Sequence, residues 1–250
     1  MSPLASDALA MFQREMLRYR RDRAYWVGQI AFPLAFVGAI GFGLDRVVVL
    51  PSGVGYASHL ASGMLALLVG SGAVGGGFSL IEDRETGFLR ALWIAPVSRA
   101  SLVLGKLLAR LAVSLLLVGI LLALLGLVTP VRLAHPLALL LAVASLTAIF
   151  AALGIALATR FRRLESFRTL AAGVTVPLYL GSGIFYPIAT LPTPVRVLAY
   201  ANPLTWGVDL LRFGVLGVHE LPLALGTGAL LAFAAIATAL AIAAFDRGAL

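Results

Sequence analysis

The chain has 250 residues, 61% of them hydrophobic and only 12% charged, with a mean hydropathy of +1.01 and a formal net charge of +8. Soluble domains run at about 45–50% apolar and about 25% charged, so a soluble enzyme or binding module is excluded and an integral membrane protein is indicated. No soluble basic face interleaved with aromatics is present to read nucleic acid, and the lack of cysteine excludes disulfides, thiol chemistry and cysteine metal sites.

The N-terminal stretch MSPLASDALAMFQREMLRYRRDR lacks the apolar core of a cleaved signal peptide. Within 9–23, Leu9, Phe12, Met16 and Tyr19 recur at helical spacing while Arg18, Arg21 and other arginines fill much of the rest. This pattern predicts an amphipathic helix on the cytoplasmic membrane surface, either as an anchor or as a docking element for a partner. A membrane helix needs about 20 mostly apolar residues, and six segments qualify: 26–44, 59–81, 102–128 (its apolar part beginning after Arg110), 136–159, 170–186 with Pro177 as a kink, and 223–245. No long polar linker divides them, so 1–250 reads as one domain. With both termini inside, fifteen lysines and arginines fall on the cytoplasmic side and four outside, a strong positive-inside signal.

Two connections are more than loops. The one at 82–100 carries an acidic cluster, Glu82 to Glu85, suited to a helix N-terminus. Phe88, Leu89, Leu92 and Trp93 follow as one apolar face, and Pro96 and Ser98 mark a turn. It is amphipathic and too short to span, so it packs on its own bundle or on a soluble partner. The outer connection, 184–221, is too apolar for a solvated loop. Thr193-Pro194 and Asn202-Pro203 each place an N-cap residue before a proline, predicting short helices over 194–200 and 203–213 that dip into the outer leaflet or cap the bundle. Asp209 and Arg212, three apart, are positioned to pair.

Chemical motifs are scarce. Gly70–Gly75 spells G-x-G-x-x-G but lies inside an apolar helix, not in the strand–turn–helix setting that a dinucleotide loop requires. Small residues four apart, Ser71 with Gly75 and Gly72 with Gly76, suit close helix–helix approach in lipid instead. No G-x-x-x-x-G-K-[ST], G-x-S-x-G or H-E-x-x-H occurs, and His59, His135 and His219 are separated along the chain near outer span ends. The apolar parts of the six spans contain no Asp, Glu, Lys or Arg, with Asp45, Lys106, Arg110 and Asp246 at or near span ends, which counts against ion-driven carriers and charged-filter channels. Energy, if used, enters from outside the spans, with 81–100 as the natural port.

The residues Glu82-Asp83-Arg84-Glu85-Thr86-Gly87, Leu89, Ala95-Pro96-Val97-Ser98-Arg99 and Leu104-Gly105-Lys106 resemble the cytoplasmic segment of type-2 ABC-exporter permeases, the daunorubicin-exporter membrane subunits among them. Leu198, then Asn202-Pro203-Leu204-Thr205, Val208-Asp209 and Leu211-Arg212 resemble the outer segment of the same family. The resemblance covers essentially the whole chain. It implies an all-α permease working as a pair in a prokaryotic inner membrane, with two separate ATPase subunits that bind ATP and Mg, and no catalytic, cofactor or metal site of its own. On this resemblance Glu82, Arg84, Glu85, Gly87, Phe88, Leu89, Arg90 and Trp93 would form the ATPase-coupling segment, with 84–93 as its helix. The 9–23 helix, with Phe12, Met16, Arg18 and Arg21, would brace the same ATPase. Asn202, Pro203, Leu204, Thr205, Asp209 and Arg212 would belong to an extracellular gate. Phe88-Leu89-Arg90 departs from the family's T-L-E and changes the charge offered to the ATPase. The implied cargo is amphipathic or hydrophobic, drug- or lipid-like. Polysaccharide or glycolipid export is the alternative within the family, and a non-transporting scaffold or intramembrane enzyme the alternative outside it.

Overall fold

The computed structural model describes residues 3–88, 98–161 and 163–248, and every regular element among them is a helix. Helices α1 (Pro3–Arg21) and α2 (Arg23–Leu44) meet at a tight corner. Asp22 caps α2 by accepting the Tyr25 amide (2.9 Å), and the Trp26 indole donates to the Tyr19 carbonyl (2.8 Å), locking the corner from both sides. α2 runs through Pro33 into a π-turn at Val37–Gly41, since a proline without an amide proton loosens the ladder around it. Asp45 then accepts the Ala57 amide (2.7 Å) at the start of α3 (Tyr56–Glu85).

α3 and α5 (Pro136–Ala158) form the centre: 83% and 72% of their membrane-length segments are buried, against 17% for α2 and 22% for the last helix, α9 (Leu223–Gly248). α3 is buried on all sides because it is small or apolar all round. A Cβ on Gly77 would sit 2.5 Å from the Gly154 carbonyl oxygen, and one on Gly154 2.7 Å from that of Val74, so the two backbones pack without intervening side chains. Gly77→Ala is therefore expected to destabilise by about 1–3 kcal/mol, whereas Gly173→Ala, with nothing within 4 Å, should be neutral or stabilising by up to about 1 kcal/mol. Thermal unfolding of the purified protein separates the two, and equal midpoints would refute the close approach.

Around this pair stand α4 (Arg99–Leu125) and α6 (Leu164–Leu180), followed by α7 (Thr193–Ala201) and α8 (Pro203–Leu216). Ser98 caps α4 by accepting the Ser101 amide (3.1 Å). Asn202 caps α8 by accepting the Leu204 amide (3.0 Å), with Pro203 in the first turn. α8 is buried against α3 and α5. Five helices among the described residues are long and apolar enough to cross a membrane: α2, α3, α4, α5 and α9.

Three expectations shift. The fifth apolar segment forms a helix of 17 residues displaced toward the arginine-rich end, stopping at Gly181 before the tight turn at Gly183 (φ +78°); at about 1.5 Å per residue it is near 26 Å long. The acidic run from Glu82 to Glu85 ends α3 instead of opening a new helix, and Gly87 (φ +76°) follows it in the left-handed conformation that glycine alone adopts without strain. α1 does not turn its whole apolar stripe to lipid. Ala8, Met11, Glu15 and Tyr19 face the bundle, while Phe12 and Met16 are half-buried and Leu9 and Leu17 exposed. Gly105 lets α1 sit directly on α4, since a Cβ there would lie 2.6 Å from the Ala8 carbonyl.

Candidate functional site

Two buried polar clusters stand at opposite ends of the bundle. The first joins α1, the last turns of α3 and the first turns of α4. Lys106 Nζ donates to Glu15 Oε1 (2.8 Å), Ser79 Oγ (2.6 Å) and Asp83 Oδ2 (2.6 Å). An ammonium has three donors, and all three are used. Ser79 Oγ donates in turn to Glu15 Oε1 (2.8 Å), and Arg14 reaches Asp83 Oδ1 (2.5 Å). Glu15, Ser79 and Asp83 are at most 2% exposed and Lys106 6%. Two carboxylates thus face two cations, and the enclosed charge is balanced. Burial pushes the Glu15 carboxyl up, but the charge of Lys106, its hydrogen bond and that of Ser79, and the charge of Arg18 together hold it below its ordinary value.

The predicted coupling residues border this cluster. Glu82 pairs with Arg18. Arg84 donates to the Phe161 carbonyl, three residues past the end of α5 (2.8 Å), and Phe88 lies under the Arg14 guanidinium, which is 3.8 Å from the ring centre. Glu85 is exposed and Gly87 half-buried. Leu89, Arg90 and Trp93 lie outside the described residues. On the surface helix Phe12 and Met16 are half-buried and Arg21 is exposed. One turn beyond Lys106, buried Arg110 donates to Tyr25 Oη (2.8 Å) and stacks on Tyr19, 4.5 Å from its centroid. The glycines of the apparent nucleotide motif make room for these groups: a Cβ on Gly72 would meet Gln29 and Tyr25, and one on Gly75 would meet the Arg110 guanidinium.

The second cluster is built on Arg212 of α8, 3% exposed. It donates to the Gly183 carbonyl (3.0 Å), Ser62 Oγ (3.3 Å), Glu220 Oε1 (3.2 Å) and His59 Nε2 (3.2 Å). Arginine only donates, so His59 must present Nε2 as an acceptor. The expected Asp209–Arg212 contact is replaced by a division of labour. Arg212 takes Glu220, while the Asp209 carboxylate accepts the amides of Glu220 (2.7 Å) and Leu221 (3.2 Å) after the chain turns at Gly217 (φ +74°). Asn202 also donates from Nδ2 to the Leu178 carbonyl (2.7 Å), tying the hairpin to α6. Of the predicted gate residues, Asn202, Leu204, Thr205, Asp209 and Arg212 are buried and Pro203 is half-buried. Asp209 and Arg212 thus meet in one network, with Asn202 linked to the neighbouring helix. His135 and His219 both pack on Phe213, and no group of metal-ligating side chains occurs among the described residues.

Sequence reading did not anticipate the partnerships of Glu15, Ser79, Asp83 and Lys106, nor those of His59, Ser62 and Glu220. One signal was available: an ionisable residue in a membrane helix is a functional candidate by default, and Lys106 and Arg110 lie one helical turn apart.

Compared with known proteins, residues 7–216 match the family model described as ABC-2 type transporter. The chain is 29% identical over 223 residues to Nodulation protein J of Rhizobium leguminosarum bv. viciae, covering 84% of this chain and 82% of that protein. It is 27% identical over 248 residues to Nodulation protein J of Bradyrhizobium diazoefficiens, covering 95% and 92%. It is also 27% identical over 213 residues to the putative transport permease ycf38 of Porphyra purpurea, covering 82% and 72%.

Proposed function

The chain belongs to the ABC-2 type transporter family, and from that premise we propose that it is the permease subunit of an ATP-driven exporter for an amphipathic or hydrophobic, drug- or lipid-like cargo. Two separate ATPase subunits hold ATP and Mg and engage the segment beginning at Glu82. A second copy of the chain completes the conduit, α6 serves as a sixth crossing, and both termini lie in the cytoplasm of a prokaryotic cell. The observation that carries this reading is the Lys106 cluster. It fastens α1, the end of α3 and the start of α4 together immediately beside 82–88, so a push on that segment reaches three helices at once.

Glu85 is exposed at the end of α3, where a partner charge can reach it. Glu85→Lys should lower ATP-driven efflux of a fluorescent amphiphile from vesicles about tenfold, as a loss of about 1.4 kcal/mol in ATPase docking would. Membrane insertion should be unchanged. Transport at the wild-type rate would overturn the assignment.

A further inference from the structure

The corner between α1 and α2, together with α4, forms an open groove of about 650 Å³, lined by Phe12, Met16, Leu17, Arg20, Trp26 and Leu116 among others. That volume is within the range of small-ligand sites, about 300–1,000 Å³. Its walls are mostly apolar, and it has a direction. Arg20 lies at the corner, next to exposed Arg21 and Arg23, with Asp22 the single acid of that run and already engaged in capping α2. Leu116 lies at the other side, six residues or about 9 Å further along α4 than Arg110. It belongs to a strip of exposed α4 leucines, Leu104, Leu108, Leu115 and Leu116, which faces away from the bundle. The groove therefore opens toward the lipid side, with a cationic mouth and an apolar depth. Its shape is set in advance by the Asp22 cap and the Trp26–Tyr19 hydrogen bond.

We propose that this groove is a binding site for an anionic phospholipid of the surrounding bilayer, one acyl chain lying between α1, Trp26 and Leu116 and the phosphate at Arg20. The bilayer is the source that the geometry favours, because the groove continues the outward strip of α4 and not the buried centre formed by α3 and α5. The lipid would wedge α1 at the angle that seats Glu15 on Lys106, making the lipid composition of the membrane a regulator of the first cluster. Because binding can be read without ATPase or cargo, its failure is distinguishable from failure of the transport reading.

The experiment is native mass spectrometry and thermal unfolding of the purified full chain in detergent, with added phosphatidylglycerol or phosphatidylcholine. Phosphatidylglycerol should be retained preferentially and should raise the unfolding temperature. Arg20→Gln should weaken it about fivefold, the effect of removing one arginine near a phosphate. Leu116→Trp, which fills the groove without touching the charges, should reduce retention of both lipids. Equal binding of the two lipids to the wild type overturns the headgroup assignment. Unchanged retention in Leu116→Trp overturns the site. Displacement of the lipid by an exported amphiphile would make the groove a cargo site and overturn the proposal as well.

Discussion

Replacing Lys106 with methionine is expected to lower stability by about 3–5 kcal/mol and to abolish ATP-driven transport. The mutation leaves Glu15 and Asp83 enclosed with Arg14 as the one cation still paired directly with them, and breaking one side of a buried ion pair costs far more than the intact pair contributes. The diagnostic partner is the triple variant Glu15→Gln, Asp83→Asn, Lys106→Met, which removes the enclosed charges together. Removing the charges together avoids leaving an unpaired buried ion, the costly part of breaking such a cluster, and Arg14, about a third exposed, can turn to solvent. Unfolding of the triple variant should thus return to within about 1–2 kcal/mol of wild type while transport stays impaired, because the tie between α1, α3 and α4 is gone. Recovery of transport together with stability would reduce the cluster to a structural role. Wild-type stability of Lys106→Met would refute the pairing itself.

Acid provides an independent check with a definite sign. In the native protein the Glu15 carboxyl is held below its ordinary value of 4.5. Its stabilising contribution is therefore fully present above that value and is lost as pH falls through the depressed native one. Removing Lys106 removes the largest opposing influence and leaves burial dominant, so the acid-unfolding midpoint of Lys106→Met should move to higher pH. A midpoint that stayed put or moved down would contradict the geometry.

The parts of the molecule that were legible in the sequence are those set by local chemistry. Apolar length located the five helices long enough to cross, α2, α3, α4, α5 and α9, and Asn202-Pro203 marked the start of α8 because cap and first-turn proline act within one turn. The clusters were not legible, because their members are distant in sequence. Lys106 meets Glu15 across 91 positions, and Arg212 meets His59 across 153. Glu15 was further hidden by the arginines around it, which made α1 look like a surface helix throughout. The helix dipole alone places a helix start at the acidic run that ends α3, an effect of about 0.3–1 kcal/mol. Arg14, Arg18 and Lys106 override it by pairing directly with Asp83 and Glu82. Spacing within α8 likewise suggested an Asp209–Arg212 pair. The return of the chain at Gly217 brought Glu220 and two backbone amides into competition and divided the two residues between them.

Arg212→Leu should release the hairpin at the opposite end of the bundle. Four acceptors lose their donor at once: the Gly183 carbonyl, Ser62 Oγ, Glu220 and His59. Each buried acceptor left unpaired costs about 1–3 kcal/mol, and although relaxation and water entry recover part of that, a net loss of about 3–5 kcal/mol is expected. Glu220 is the most exposed of the partners, so Glu220→Gln should cost less than about 1 kcal/mol. Arg212→Lys should fall between, since three donors on a point charge cannot reproduce the planar guanidinium's reach to four partners. Hydrogen exchange reads the change directly, because the amides of Glu220 and Leu221, beyond the turn at Gly217, are held by Asp209, which shares α8 with Arg212. Their protection should fall in the order wild type, Glu220→Gln, Arg212→Lys, Arg212→Leu. If this hairpin closes the conduit, Arg212→Leu should also leak amphiphile without ATP, while the Lys106 variants should not. Loss of protection without leak would confine the cluster to holding the fold, and wild-type protection in Arg212→Leu would refute it altogether.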